Sequence, residues 1–563
     1  MKKLLIITLT FLATTAFARV LTITPTQTQT QWQNTLNSLQ PGDTLFLENG
    51  VFNNFQVDIP RDGTAENPIF IGARNPGSVF IEGAIAIRLG GDFVTVSGLH
   101  FRNGWGLSTN NNPNREAGLV FQFRIGTGQG AQMASNSRLT NSVFDTLYNP
   151  NNDLTDRDMD SWWVAFYRGQ NNRVDHNFFG YKPDFGVMIF VDPREAGPNP
   201  DVQTSPRSYH ILENNFFAPR PYLGQNGVEQ LRIGDSDRSM FSVGMIVRNN
   251  VFYRNDGEIE IISIKSGDNI LENNLVYESR GQFTFRHGDN NTIRNNVFIG
   301  NERSNSSGVR VINAGQRVYN NWFQGLRGVN NWAALNFQMG LDPSCPLNSF
   351  YQVDSALVAY NTFVNVQQIN IGHNSNAQIN NTHICGQNQN RLFRPINSTF
   401  RNNIVFHNFT AGALGSVVPL TVVARNANNL DMDEHERDAG ITFEGNLFRI
   451  NDNVSWTREG FSRRPTLHFV RPAGSMFYHI ELLDNPTLNP GNCLPELTGR
   501  AGHPEIESRL DVTGQPRTAP FTAGAKNAEN FSTPPQIPNL YEVGATWFRC
   551  IRTYYFSHYT IID

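Results

Sequence analysis

An asparagine followed by Val/Phe-type residues recurs through the middle of the chain, as HNFF, NNFF, NNVF, NNLV, NNVF, NNWF, YNTF, NNIV and GNLF. The anchoring residue of each element is Asn177, Asn215, Asn250, Asn274, Asn296, Asn321, Asn361, Asn403 or Asn446, with Ser142 in the same phase upstream. Successive intervals are 35, 38, 35, 24, 22, 25, 40, 42 and 43 residues. A period that settles at 22 to 25 and otherwise lengthens by loop-sized insertions fits a solenoid, because each coil can bury its apolar face only against its neighbours. Segments such as VRNNVF and TIRNNVF are short and β-branched, helical periodicity is nearly absent, and Asn and Gly punctuate almost every apolar run. The spacing predicts an all-β fold, a right-handed parallel β-helix, with the repeated asparagines stacked to hydrogen-bond neighbouring backbone.

The first coils are expected in LQPGDTLFLENGVF (39–52) and NPIFIGARNPGSVFIEG (67–83), where Pro-Gly and Asn-Gly supply turns. Met1-Lys2-Lys3, an apolar run from Leu4 to Leu12 and the small-residue end Ala16-Phe17-Ala18 read as a cleavable secretion signal over 1–18. That run is shorter than the roughly 20 residues a membrane span needs, so no membrane partner is expected and the mature chain is placed in the periplasm or outside the cell. Solenoids continue as single units at lengths beyond ordinary domains. Residues 19–470 are therefore read as one β-helix carrying the candidate site, and 471–563, where prolines and polar residues multiply, as a C-terminal cap and extension. Cys345, Cys385, Cys493 and Cys550 all lie in the second half. They fit no zinc spacing and allow three connectivities, so one or two loop staples are expected.

Without the leader, three lysines remain, Lys182, Lys265 and Lys526, and the formal charge is −6. No global field would attract nucleic acid, and an anionic ligand would need a local arginine cluster. Offsets from the anchor asparagines supply one. Asn226 and Arg232 lie 11 and 17 after Asn215; Glu258, Glu260 and Lys265 lie 8, 10 and 15 after Asn250; Arg286 lies 12 after Asn274 and Arg310 lies 14 after Asn296. Neighbouring strands sit about 4.8 Å apart, so residues of similar phase come within side-chain reach.

In NDGEIEIISIKSGDN, Glu258 and Glu260 alternate with isoleucines and share one side of a strand. They are either two ordinary solvated glutamates or, with the Asn226 amide, oxygen ligands for a hard cation that relieves their repulsion, Ca²⁺ rather than zinc. Strict alternation would put Lys265 opposite Glu260, so a turn or bulge must intervene. Such a cluster suits removal of a proton next to a carboxylate. The cation neutralises the carboxylate, a lysine crowded by cations can be neutral where arginine cannot, and Arg286 can stabilise developing charge or assist the leaving oxygen. Arg232, Arg310 and His287 could hold neighbouring carboxylates.

GEIEIISIKSGDNILENN (257–274), FRHGDNNTIRNNVFIGN (285–301) and GVRVI (308–312) resemble polysaccharide lyase family 6, the family of chondroitinase B and the β-helical alginate lyases, and NGVEQLRIGDSDRSM (226–240) looks like the segment before them. The resemblance is strongest over 141–323. It implies a lyase acting on an anionic, uronate-containing polysaccharide, alginate first and dermatan sulfate second. It further implies Lys265 as Brønsted base, Arg286 as Brønsted acid, Asn226, Glu258 and Glu260 as Ca²⁺ ligands, and Arg232, His287 and Arg310 as substrate contacts. Tyr167, in WWVAFYRGQNNRVDHNFF, is expected to line the cleft. Two other readings stand beside it. One is a β-helix hydrolase using Asp235 and Asp237 of GDSDRSM, although two residues apart is too close for a water-mediated pair. The other is a non-catalytic polysaccharide-binding solenoid, since fold alone does not give function.

Overall fold

The computed structural model describes residues 18–108, 118–127, 130–151, 154, 161–193, 207–341, 345–373, 393–407, 420–422, 440–449, 460–463, 467–471, 473, 475–482, 510–516, 526, 533–539 and 543–548. The secretion signal expected over 1–18 falls outside these residues except for Ala18, as do Cys385, Cys493 and Cys550. Among the described residues no helix is long and apolar enough to cross a membrane.

Among the described residues three runs of parallel strand pairing recur from coil to coil, the second and third joined through the long strand Val79–Leu89, most coils contribute one short strand to each, and the chain is a parallel β-helix. The first sheet stacks Leu212, Val247, Leu271, Ile293 and Val318 in one column. In the second, Phe217, Phe252, Val276, Phe298 and Phe323 follow one another, and in the third Leu231, Ile262, Phe283 and Val309. All of these side chains are buried in one core. The Phe of the recurring element points inward, and from Phe144 through Phe179 and Phe217 to Phe252 the rings stack at centroid distances of 5.0, 5.0 and 4.6 Å. Stacked aromatics add to the area they bury.

The asparagines explain themselves at the corner before the second sheet. The first residue of each pair takes a left-handed backbone, as at Asn214, Asn249, Asn273 and Asn295 (φ near +55°), a conformation Asn tolerates. The second is buried and forms a ladder. The Asn250 backbone N–H donates to Asn274 Oδ1 at 3.0 Å, and Asn274 repeats this with Asn296 and Asn296 with Asn321. Each Nδ2 donates to a carbonyl of the preceding coil, Asn274 to Val247 O at 2.9 Å. A second ladder at another corner, Asn269 to Asn291 to Gln316, follows the same rule. It has no conspicuous sequence signature because its members are not paired with a repeated apolar dipeptide.

One helix breaks the all-strand expectation. Gln29–Asn37 carries a capping box from Thr28 and Gln31 and buries Trp32 and Leu36, and Trp32 packs on Phe52 and Phe55 at the start of the core. With only two apolar residues at i and i+4, it gives almost no periodic signal. At the other terminus, the described parts of 471–563 lie along a flank. Asn295 Nδ2 donates to Asp511 O and Trp547 Nε1 to Asn141 O, while Val512, Val543 and Ala545 join a side cluster with Phe178, Phe216 and Trp322.

Candidate active site

Four successive strands of the third sheet, Leu231–Gly234, Glu260–Lys265, Gln282–His287 and Val309–Val311, carry Arg232, Glu260, Lys265, Arg286, His287 and Arg310, while Asn226 and Glu258, the latter expected on the strand of Glu260, lie in bends before the first two. Their register aligns Arg232 with Ser263, Ser263 with Thr284 and Thr284 with Arg310. One position group further on, Gly234 aligns with Lys265 and Lys265 with His287. Gly234 has a left-handed φ of +98°, and a Cβ there would come 2.4 Å from the Lys265 carbonyl oxygen. Only glycine lets these two strands lie flush at the lysine.

The bulge that alternation demanded is present. The register slips between Glu260 and Ile262, so Ile261 and Ile262 both enter the core and the parity of the strand changes. Glu260 and Lys265 thereby leave the core on the same side. A second slip makes Arg286 the extra residue between Phe285 and His287, which turns consecutive side chains, Arg286 and His287, toward the same site.

The charges are interlocked. Glu229, fully buried, accepts from Arg232 Nε and Nη2 at 2.9 Å each. Arg310 Nη2 donates to Glu260 Oε1. Glu258 Oε1 accepts from the backbone N–H groups of Gly227 at 3.0 Å and Val228 at 3.2 Å, which sets it beside Asn226 in an exposed bend. Burial pushes the Lys265 ammonium below its ordinary range, Arg232 and Arg286 push it the same way, and Glu229 and Glu260 partly oppose them. Burial lowers Arg286 to about 10. Burial, then Arg286 and Lys265, hold the His287 imidazole well below its usual range and neutral.

Among the described residues no group of three or more His, Cys, Asp and Glu side chains is arranged as a metal site. The expected set has two carboxylates and an amide, and its chemistry fits a hard cation. Burial, then repulsion from Glu229 and Glu260, drives the Glu258 carboxyl well above its ordinary value, and the Val228 and Gly227 N–H groups oppose that only in part. All donors are oxygens, as Ca²⁺ prefers.

Tyr167 is not brought against this cluster. It follows Phe166, which reaches Ile264 only through Val191 and Ile233, about 14 Å along the sheet, and its ring lies under Arg124 at 3.6 Å, only 4% exposed. Asp235 accepts from the Asp237 N–H at 3.2 Å to cap a short turn, and Asp237 is exposed, so these two carboxylates do not face one another across a cleft. Two participants escaped the sequence reading. Glu229 sits three residues before Arg232, a spacing that reveals a partner only once the strand start is known. The segment Cys345–Tyr351 supplies the Asn348 and Ser349 carbonyls to Arg286 from a loop that only its cysteine marks.

Comparison with known proteins places this geometry. The chondroitinase B family matches residues 26–458. None of the curated proteins matches the chain. Among solved structures it is similar to the PL6 family alginate lyase AlyGC, with 30% identity and a TM-score of 0.71 over 94% of this chain and 59% of that one. This chain thus spans less than two thirds of AlyGC. It is also similar to a mannuronic acid specific polysaccharide family 6 lyase from human gut microbiota, with 28% identity and a TM-score of 0.65 over 79% of this chain and 90% of that one. The extent of the family match, over a β-helix that gathers the family-like segments on one face, establishes that the chain belongs to the chondroitinase B family.

Proposed function

We propose that the protein is an exported polysaccharide lyase that cuts alginate by β-elimination, with Lys265 as base and Arg286 as acid. The observation that carries this reading is Lys265 itself, 8% exposed and biased toward its neutral form by burial and two arginines. Lys265 takes the C5 proton of a uronate, the electron pair forms the C4–C5 double bond, the C4–O4 bond breaks, and Arg286 returns a proton to the departing oxygen. Arg232 and Arg310, each fixed by a buried glutamate, and neutral His287 hold substrate carboxylates and hydroxyls. A Ca²⁺ ion held by Asn226, Glu258 and Glu260 would neutralise the reacting carboxylate and so acidify the C5 proton. Alginate is favoured over dermatan sulfate by the substrates named for AlyGC and the gut enzyme. Export is supported by the leader and by the disulfide at Cys345.

The test is ultraviolet absorbance while purified protein is offered alginate and dermatan sulfate separately. Elimination creates a conjugated unsaturated uronate that hydrolysis cannot. A rise with alginate that vanishes in Lys265→Ala supports the proposal; a rise with dermatan sulfate alone reassigns the substrate; reducing ends without absorbance would make it a hydrolase. Chelation followed by Ca²⁺ addition should move both turnover and melting temperature, and unchanged values in metal-free protein would remove the ion.

A further inference from the structure

Three arginines face the site, and they are not held alike. Arg232 is gripped by Glu229 and Arg310 by Glu260. No carboxylate hydrogen-bonds Arg286 among the described residues. Its guanidinium lies 3.7 Å from the centre of the Phe350 ring, its Nη1 donates to Ser349 O at 3.4 Å and approaches His287 Nδ1 at 3.2 Å, and its Nη2 donates to Asn348 O at 3.3 Å. All of these partners are uncharged.

The loop that supplies them is braced. Cys345 is buried and disulfide-bonded. Tyr351 Oη donates to Cys345 O at 2.7 Å and the Ser349 N–H to Pro346 O at 2.8 Å. The Leu341 N–H donates to Phe350 O at 2.6 Å and the Gln352 N–H to Leu341 O at 3.0 Å. Ser239 Oγ, beyond the strand that bears Arg232, donates to Leu347 O at 3.4 Å, so the loop spans the end of the Lys265 strand.

We propose that the stapled loop Cys345–Tyr351 is the positioning element for Arg286, with Phe350 as the positioning residue that fixes the guanidinium plane. The inference rests on the reading of Arg286 as the acid. A guanidinium has five N–H groups in one plane. Engaging Nη1 with Ser349 O and Nη2 with Asn348 O while a ring covers one face holds the remaining N–H groups in a set direction for the leaving oxygen. A free arginine would have to surrender its rotamer freedom at each turnover. Neutral partners serve a second end. A carboxylate would fix the side chain equally well but would hold its proton more tightly than carbonyls and a π face do, so that burial still lowers the guanidinium to about 10.

The experiment is steady-state kinetics of Phe350→Leu, Phe350→Trp and Arg286→Ala in the full chain, with melting temperatures. Phe350→Leu keeps apolar volume and removes the π face. Its kcat should fall roughly 10-fold or more, because small misplacements of a catalytic group carry penalties of that order, while KM and melting temperature stay near the parent values. Phe350→Trp, which restores a ring, should recover most of kcat. The positioning role is overturned if Phe350→Leu turns over like the parent, or if Phe350→Trp is as slow as Phe350→Leu. If Arg286→Ala keeps the parental kcat, it is the acid assignment that fails; an inactive Arg286→Ala beside a fully active Phe350→Leu defeats the positioning role alone.

Discussion

Glu229 binds Arg232 with both carboxylate oxygens, Oε1 to Nε and Oε2 to Nη2, at 2.9 Å each, and no part of Glu229 reaches solvent. Burial alone would raise its pKa, yet Arg232 and Lys265 hold it low, so the carboxylate is charged and the guanidinium is fixed from beneath. Glu229→Ala should leave Arg232 as an uncompensated, largely buried cation. Breaking one half of such a pair costs about 3 kcal/mol or more. Urea denaturation should show that loss together with a fall in kcat/KM on polymer, whereas a variant as stable as the parent would mean that water replaces the carboxylate.

The same pair sets the direction in which the pH dependence moves. Lys265 acts only when neutral, and burial, Arg232 and Arg286 displace it downward from 10.5. The rising limb of kcat/KM against pH should therefore lie below the ordinary lysine range. Glu229 pulls Lys265 upward, so Glu229→Gln should shift that limb to lower pH. Arg232→Met removes a lowering charge and frees Glu229, so it should shift the limb to higher pH. Limbs that coincide in all three proteins would show that a group other than Lys265 is titrating.

How much of this was legible in the sequence varied with how local the cause was. The asparagine ladder repeats at every coil and was readable as a period, and the phase of Arg232, Lys265, Arg286 and Arg310 followed from it. The bulge at Ile261 was required by parity, because Glu260 and Lys265 had to share a face. Glu229 was not readable, since a buried glutamate three residues before an arginine looks like any surface pair until the strand start is known. Phe350 lies 64 residues beyond Arg286 in a loop of no fixed period, and contacts between an insertion and a coil leave no trace in the repeat. Tyr167 was placed by the family-like stretch WWVAFYRGQNNRVDHNFF, and its ring packs with Leu119 and Ala165, against Trp162 and Met133.

The ladder makes a quantitative claim on stability. Asn274 is 1% exposed, accepts from Asn250 and donates through Nδ2 to Val247 O and Asn296 Oδ1 at 2.9 Å each. Asn274→Ala would strand the Asn250 N–H and the Val247 carbonyl in the core, and each unsatisfied buried group costs roughly 1–3 kcal/mol. An unfolding free energy lowered by roughly 2–6 kcal/mol for the two groups, seen as a lower denaturation midpoint with strand content unchanged by circular dichroism, is expected. An unshifted midpoint would show that the ladder is decorative.

His210 gives the fold an acid limit. Its Nε2 meets Tyr167 O at 2.7 Å and its Nδ1 accepts from the Asn172 N–H at 3.2 Å, so the native ring is neutral with its proton on Nε2. Burial lowers its pKa to about 4 from 6.5. The unfolded chain binds this proton first as pH falls, so the contribution is complete above 6.5, is lost progressively between 6.5 and about 4, and changes no further below that. The loss over this window is roughly 3 kcal/mol for one proton. His210→Asn keeps an acceptor and a donor, as at the neighbouring Asn172 rung, but cannot titrate. It should be somewhat less stable at pH 7, because the stacking on Phe166 is lost, and should lose about 3 kcal/mol less than the parent between pH 6.5 and 4. Parallel stability curves for the two proteins would show that the acid limit is set elsewhere, with buried His407, lowered to about 3, the next ring to substitute.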